Sequence, residues 1–113
     1  MNLIIKKLHI RTLLLTSIIT LLSACSFVSL DPQAKDVMVS PTTNELSRCK
    51  FLGKTTVSLW AKAENFQSQD DINDQLNTLA RNQATKMGGN AVTPDSKINN
   101  GQRTYRIYTC SNK

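Results

Sequence analysis

The chain has 113 residues, enough for one domain, and carries 14 Lys and Arg against 8 Asp and Glu, a net charge of +6. Three of those cations, Lys6, Lys7 and Arg11, and the only histidine, His9, lie close to the N-terminus. Without that stretch eleven basic residues face eight acidic ones and no histidine remains, which argues against a nucleic-acid binder and removes the commonest general base and metal ligand together.

Residues 1–24 have the three parts of a secretory signal: a basic start, an apolar run Leu13–Ala24, and a small-residue exit. A transmembrane helix is the competing reading. Crossing the hydrocarbon takes about 20 apolar residues, and this run is shorter and interrupted by Thr16, Ser17, Thr20 and Ser23. The exit, Leu22-Ser23-Ala24-Cys25, resembles the bacterial lipobox. That resemblance implies cleavage between Ala24 and Cys25, diacylglycerol on the Cys25 thiol, and a further acyl chain such as palmitate on the freed amine. Ser26, in place of an aspartate, implies an outer-membrane address. At about 0.8 kcal/mol per buried methylene, two or three acyl chains hold such a protein in a leaflet. The plainer alternative is that Cys25 is buried or paired with another thiol.

With Cys25 taken by lipid, Cys49 and Cys110 are the two thiols left, and an oxidising envelope permits one structural disulfide between them. No Cys-x-x-Cys spacing and no histidine accompany them, so a redox or zinc site is disfavoured.

Ser26–Lys35, containing Asp31-Pro32, reads as a tether with a reach of about 35 Å. The domain is therefore expected over residues 36–113, after a signal at 1–24 and a lipidated N-terminus and tether at 25–35. Asp36–Ser40 is a short β-prone run stopped by Pro41. After a polar connection, Cys49–Trp60 predicts a longer strand with a bulge or bend at Gly53. In Asp70–Met87, Ile72, Leu76, Leu79, Ala80, Ala84 and Met87 share one helical face. Ser68 suits the cap, acids fill the first turn, Lys86 lies in the last, and Gly88-Gly89 can terminate the helix. Asn90–Thr93 predicts a short strand, the Asn-Gly in Pro94–Gln102 a hairpin, and Arg103–Cys110 a final strand. The expected fold is α+β: one amphipathic helix on a small, mostly antiparallel sheet in the order β-β-α-β-β.

Several motifs invite a functional reading, and each has a simpler one. Asp70-Asp71-x-x-Asp74 resembles a magnesium-binding pattern but suits a helix N-terminus. Gly88-Gly89 follows the helix, whereas phosphate loops precede one. Hydroxyl nucleophiles lack a histidine, and nothing marks Lys50 or Lys54 as a base. Trp60, Phe66, Tyr105 and Tyr108 suit the core better than a ligand surface, although exposed Tyr105 or Tyr108 would suit a small ligand or glycan. No catalytic residue, metal site or cofactor is expected, and the ligand-binding residues are unknown.

Three segments carry a wider resemblance: Cys49-Lys50-Phe51-Leu52-Gly53, then Asn77–Val92 with its Arg81-Asn82-x-Ala84 stretch and its Gly88-x-Asn90-x-Val92 exit, then Tyr108-Thr109-Cys110. Together they resemble a family of small proteobacterial envelope lipoproteins described as a domain of unknown function (4156). Gly89 stands where that pattern more often has alanine. The pattern is also similar to the outer-membrane sensor lipoproteins of the Rcs stress phosphorelay, which implies a comparable fold and, as an alternative role, stress sensing through a partner. The leading expectation is a non-enzymatic outer-membrane lipoprotein whose periplasmic domain contacts another envelope protein.

Overall fold

The computed structural model describes residues 28–111; the expected signal 1–24, its Ala24–Cys25 cleavage point and the lipidation at Cys25 lie outside the described residues. Strands β1 (Met38–Val39), β2 (Lys50–Ser58), β3 (Ala91–Pro94) and β4 (Gln102–Thr109) and the helix α1 (Gln69–Lys86) follow the expected β-β-α-β-β order. The strands form one sheet in the order β1-β3-β4-β2. Pairing is antiparallel except between β1 and β3. The fold is α+β, with one helix across a four-stranded mixed sheet.

Helix α1 owes its position to Ile72, Leu76, Ala80 and Ala84, spaced four apart and fully buried. The Ser68 side chain accepts from the Asp71 amide at 3.2 Å, and Asp70 and Asp71 lie against the positive end of the helix dipole. At the other end the Gly89 amide donates to the Ala84 carbonyl and the Gly88 amide to that of Thr85, a Schellman cap. Gly88 supplies its left-handed residue at φ 79°.

Opposite α1 the sheet contributes Val57, Val92, Tyr105 and Ile107 to the main core, which Ala34 and Val37 complete. The bulge falls where Gly53 stands, as the pairing of β2 with β4 slips between Phe51 and Gly53. The β3–β4 loop ends in a tight turn: Asn99 and Gln102 exchange backbone hydrogen bonds of 2.9 Å, with Asn100 and Gly101 at φ 51° and 71°. Those signs are what an Asn-Gly hairpin turn requires.

The N-terminal boundary differs from expectation. The stretch read as a tether through Lys35 is docked from Ser29 onward. The Asp31 amide donates to Asn82 Oδ1 (2.8 Å), and Asn82 Nδ2 donates to the Ser29 carbonyl (2.9 Å). Arg81 reaches the carbonyls of Lys35 (2.7 Å) and Val37 (3.0 Å). A 3-10 turn at Pro32–Ala34 buries Ala34 completely, and Leu30 packs on the core. The segment lacks periodicity because it is held by polar side chains of α1 rather than by a repeating apolar face.

Candidate interaction surface

The helix covers one face of the sheet; on the other, Met38, Phe51 and Lys54 are exposed while Ala91, Thr93 and Tyr108 are buried. Register fixes what that outer face presents. One row runs Met38, Ala91, Tyr108, Phe51 across the four strands, and the next runs Thr93, Arg106, Lys54. The 3-10 turn Asn44–Leu46 covers part of it, setting Leu46 against Ala91 and Tyr108 in a second cluster beside Cys49 and Cys110. Those two cysteines form a disulfide, as the sequence leads one to expect. Met38 and Phe51 remain exposed at the ends of the first row.

At the centre of this face Arg106 packs against two rings that also touch each other. Its guanidinium carbon sits 4.3 Å from the Phe51 centroid, and its Nε donates to the Tyr108 hydroxyl at 2.8 Å. The rings of Phe51 and Tyr108 are themselves 5.6 Å apart and tilted by 60°. Stacking on Phe51 together with the hydrogen bond to Tyr108 restricts the orientation of this planar cation. Beside it Lys54 Nζ meets Asp95 Oδ2 at 2.9 Å. That hydrogen bond draws the Asp95 carboxyl below the usual carboxylate range, against the opposing effect of partial burial. Thr93 is wholly buried, and its hydroxyl has no hydrogen-bond partner among the described residues.

The other motifs take the simpler readings. Asp70 and Asp71 serve the helix start, and among the described residues no group of three His, Cys, Asp or Glu side chains is placed to hold a metal ion. Gly88-Gly89 caps the helix, and Lys54 is occupied by Asp95. Tyr105 is buried and donates to Asn77 Oδ1 at 2.6 Å. Burial pushes its phenol above the ordinary tyrosine value, with Arg103 acting the other way. Tyr108 is nearly as buried, so neither ring is free to receive a glycan.

Trp60 and Phe66 depart from the expected core role. They are 64% and 73% exposed, and their rings stack at 5.6 Å with an 8° interplanar angle. Sequence patterning does not reveal this, because Ala61–Gln67 follows neither a strand nor a helical period. The signal that was available is the polar setting: Lys62, Glu64, Asn65 and Gln67 surround Phe66.

A family model described as "Domain of unknown function (DUF4156)" matches residues 28–110. The chain belongs to the DUF4156 family. No curated protein and no solved structure matches the chain significantly. The DUF4156 match opens at Val28 and closes at the disulfide-bonded Cys110, so it takes in the docked segment before β1. The helix of this DUF4156 domain is not apolar enough to cross a membrane, and neither is any other described helix.

Proposed function

We propose that this DUF4156 chain is a non-enzymatic lipoprotein of the outer membrane, anchored through Cys25, whose periplasmic domain binds another envelope protein. The observation that carries the anchor is the Leu22-Ser23-Ala24-Cys25 exit, which stands three residues before the Val28 start of the folded domain. A processing site at that place leaves the domain whole. The Cys49–Cys110 disulfide supports an oxidising compartment such as the periplasm. The exposed part of the outer sheet face supports the protein-contact role, since an Arg clustered with an exposed aromatic ring, here Arg106 with Phe51, is what protein interfaces favour. Arg106 offers its remaining guanidinium N–H groups there, flanked by Phe51 and Tyr108.

Intact mass and membrane fractionation of the native protein beside Cys25→Ala test the anchor. The native chain is expected to start at Cys25, carry acyl chains and sediment with outer membranes, and Cys25→Ala to lose all three. A soluble, unacylated native chain overturns the reading. Crosslinking in cells from exposed position 38 on the same face, with and without Arg106→Ala, tests the contact face. A specific adduct with one envelope protein, weakened by Arg106→Ala and by a charge reversal at Lys54, is expected.

A further inference from the structure

Packing leaves the stacked pair Trp60–Phe66 unexplained, although its backbone is firmly held. The Leu59 amide donates to the Gly101 carbonyl at 2.7 Å, and the Ala63 amide to the Trp60 carbonyl at 2.9 Å. A Cβ on Gly101 would lie 2.9 Å from the Trp60 carbonyl oxygen, so the hairpin turn presses directly on this loop. Buried Ala63 fastens the turn Ala63–Asn65 from within. Two large apolar rings are thus presented to solvent on a fixed backbone, where a mobile loop would let them fold back.

The place where the chain leaves the domain says what covers them. Four Cα steps, about 14 Å at full stretch, separate Cys25 from Ser29, whose carbonyl is fixed by Asn82. Asp31 and Ser58 line one surface hollow together with Leu79, Asn82, Gln83 and Lys86. Trp60 follows Ser58 by two residues, so the N-terminal exit and the aromatic pair lie on the same side of the domain. A lipid on Cys25 holds Ser29 within about 14 Å of the bilayer surface, on the side of the domain that carries the pair. Trp is the side chain most suited to the headgroup boundary, with an apolar ring and one N–H donor.

We infer that Trp60 and Phe66 insert into the interfacial layer of the membrane that holds Cys25, a second and non-covalent foothold that fixes how the domain stands on the bilayer. The inference rests on the lipid anchor proposed above. It leaves the Phe51–Arg106–Tyr108 face, near the opposite end of β2, directed away from the lipid.

Trp60 is the chain's one tryptophan, so its emission reports this site alone. Acylated protein is reconstituted into phosphatidylethanolamine–phosphatidylglycerol vesicles, with and without bromine on the upper acyl chains. Relative to Cys25→Ala protein in buffer, Trp60 is expected to emit at shorter wavelength, to resist acrylamide and to lose most of its emission to brominated lipid. In a control carrying Trp60→Phe and Phe51→Trp, the indole moves from beyond the Ser58 end of β2 to Phe51, more than about 23 Å along the strand, and is expected to stay open to acrylamide and insensitive to bromine. Acylated protein whose Trp60 remains open to acrylamide and insensitive to brominated lipid overturns the insertion and leaves the anchor standing. A blue shift that needs no vesicles and grows with protein concentration assigns the pair to a second copy, which also overturns it. A native chain without acyl groups removes the anchor and this inference together.

Discussion

Gly88 and Gly89 follow one another at the end of α1 and are glycines for different reasons. Gly88 sits at φ 79° with open space where a Cβ would point, so its requirement is conformational. Asn tolerates that region, and Gly88→Asn is expected to lose no more than about 1 kcal/mol in urea unfolding. Gly89 has no positive φ, but a Cβ there would lie 2.6 Å from Ile107 Cγ2 and 2.9 Å from the Tyr108 carbonyl oxygen. Gly89→Ala therefore forces β4 away from the helix exit and is expected to lose about 1–3 kcal/mol, the range for overpacking a close-packed site. An unchanged urea midpoint would show that β4 yields without penalty. Thr93 gives the opposite expectation. Its buried hydroxyl lacks a partner, and an unsatisfied polar group of that kind costs about 1–3 kcal/mol. Thr93→Val keeps the shape and removes the hydroxyl, so the variant is expected to be at least as stable as the parent. A clear loss in the same unfolding assay would mean that the hydroxyl has found a water or ligand.

Among the elements, the apolar periods made α1, β2 and β4 legible from sequence, and the Asn100-Gly101 pair marked the turn that φ values of 51° and 71° bear out. Short β1 and β3 were legible because β-branched residues meet Pro41 and Pro94. The docked segment before β1 was not, since nothing within Ser29–Lys35 reports that Arg81 and Asn82, some fifty residues later, will bind its backbone. The exposed Trp60–Phe66 pair was equally hidden, because ring size argues for burial and only the tertiary placement of the loop decides otherwise. The outer-face cluster was half visible: alternation places Arg106 and Tyr108 on one face of β4, but the stacking on Phe51 depends on the bulged register of β2. Asn82 offers the direct test of the segment missed. Asn82→Ala removes an acceptor for the Asp31 amide and a donor to the Ser29 carbonyl, and is expected to lose about 1–2 kcal/mol. Amide exchange should rise locally in residues 29–37 while α1 and β4 stay protected. Uniform loss of protection would show that the segment and the core melt as one unit.

For the molecule as a whole, the Cys49–Cys110 bond spans 61 positions yet joins neighbours, because Lys50 and Thr109 already pair at that end of the sheet. It encloses β2, α1, β3 and β4 in a single loop and leaves the docked N-terminal segment and β1 outside. Closing a loop of that length removes about 4 kcal/mol of denatured-state freedom in the chain-entropy description. Small domains have only about 5–15 kcal/mol in total. Replacing both cysteines by serine, which avoids a stranded thiol, is therefore expected to lower Tm by about 15–30 °C for a domain of this size. Trp60 is already exposed, so far-ultraviolet circular dichroism of α1 and the sheet, rather than its fluorescence, follows the global unfolding. A shift of only a few degrees would mean that the β2–β4 ladder and the Leu46–Ala91–Tyr108 cluster close this end of the sheet unaided. A large shift would tie the fold to an oxidising compartment, and with it the case for a life outside the cytoplasm.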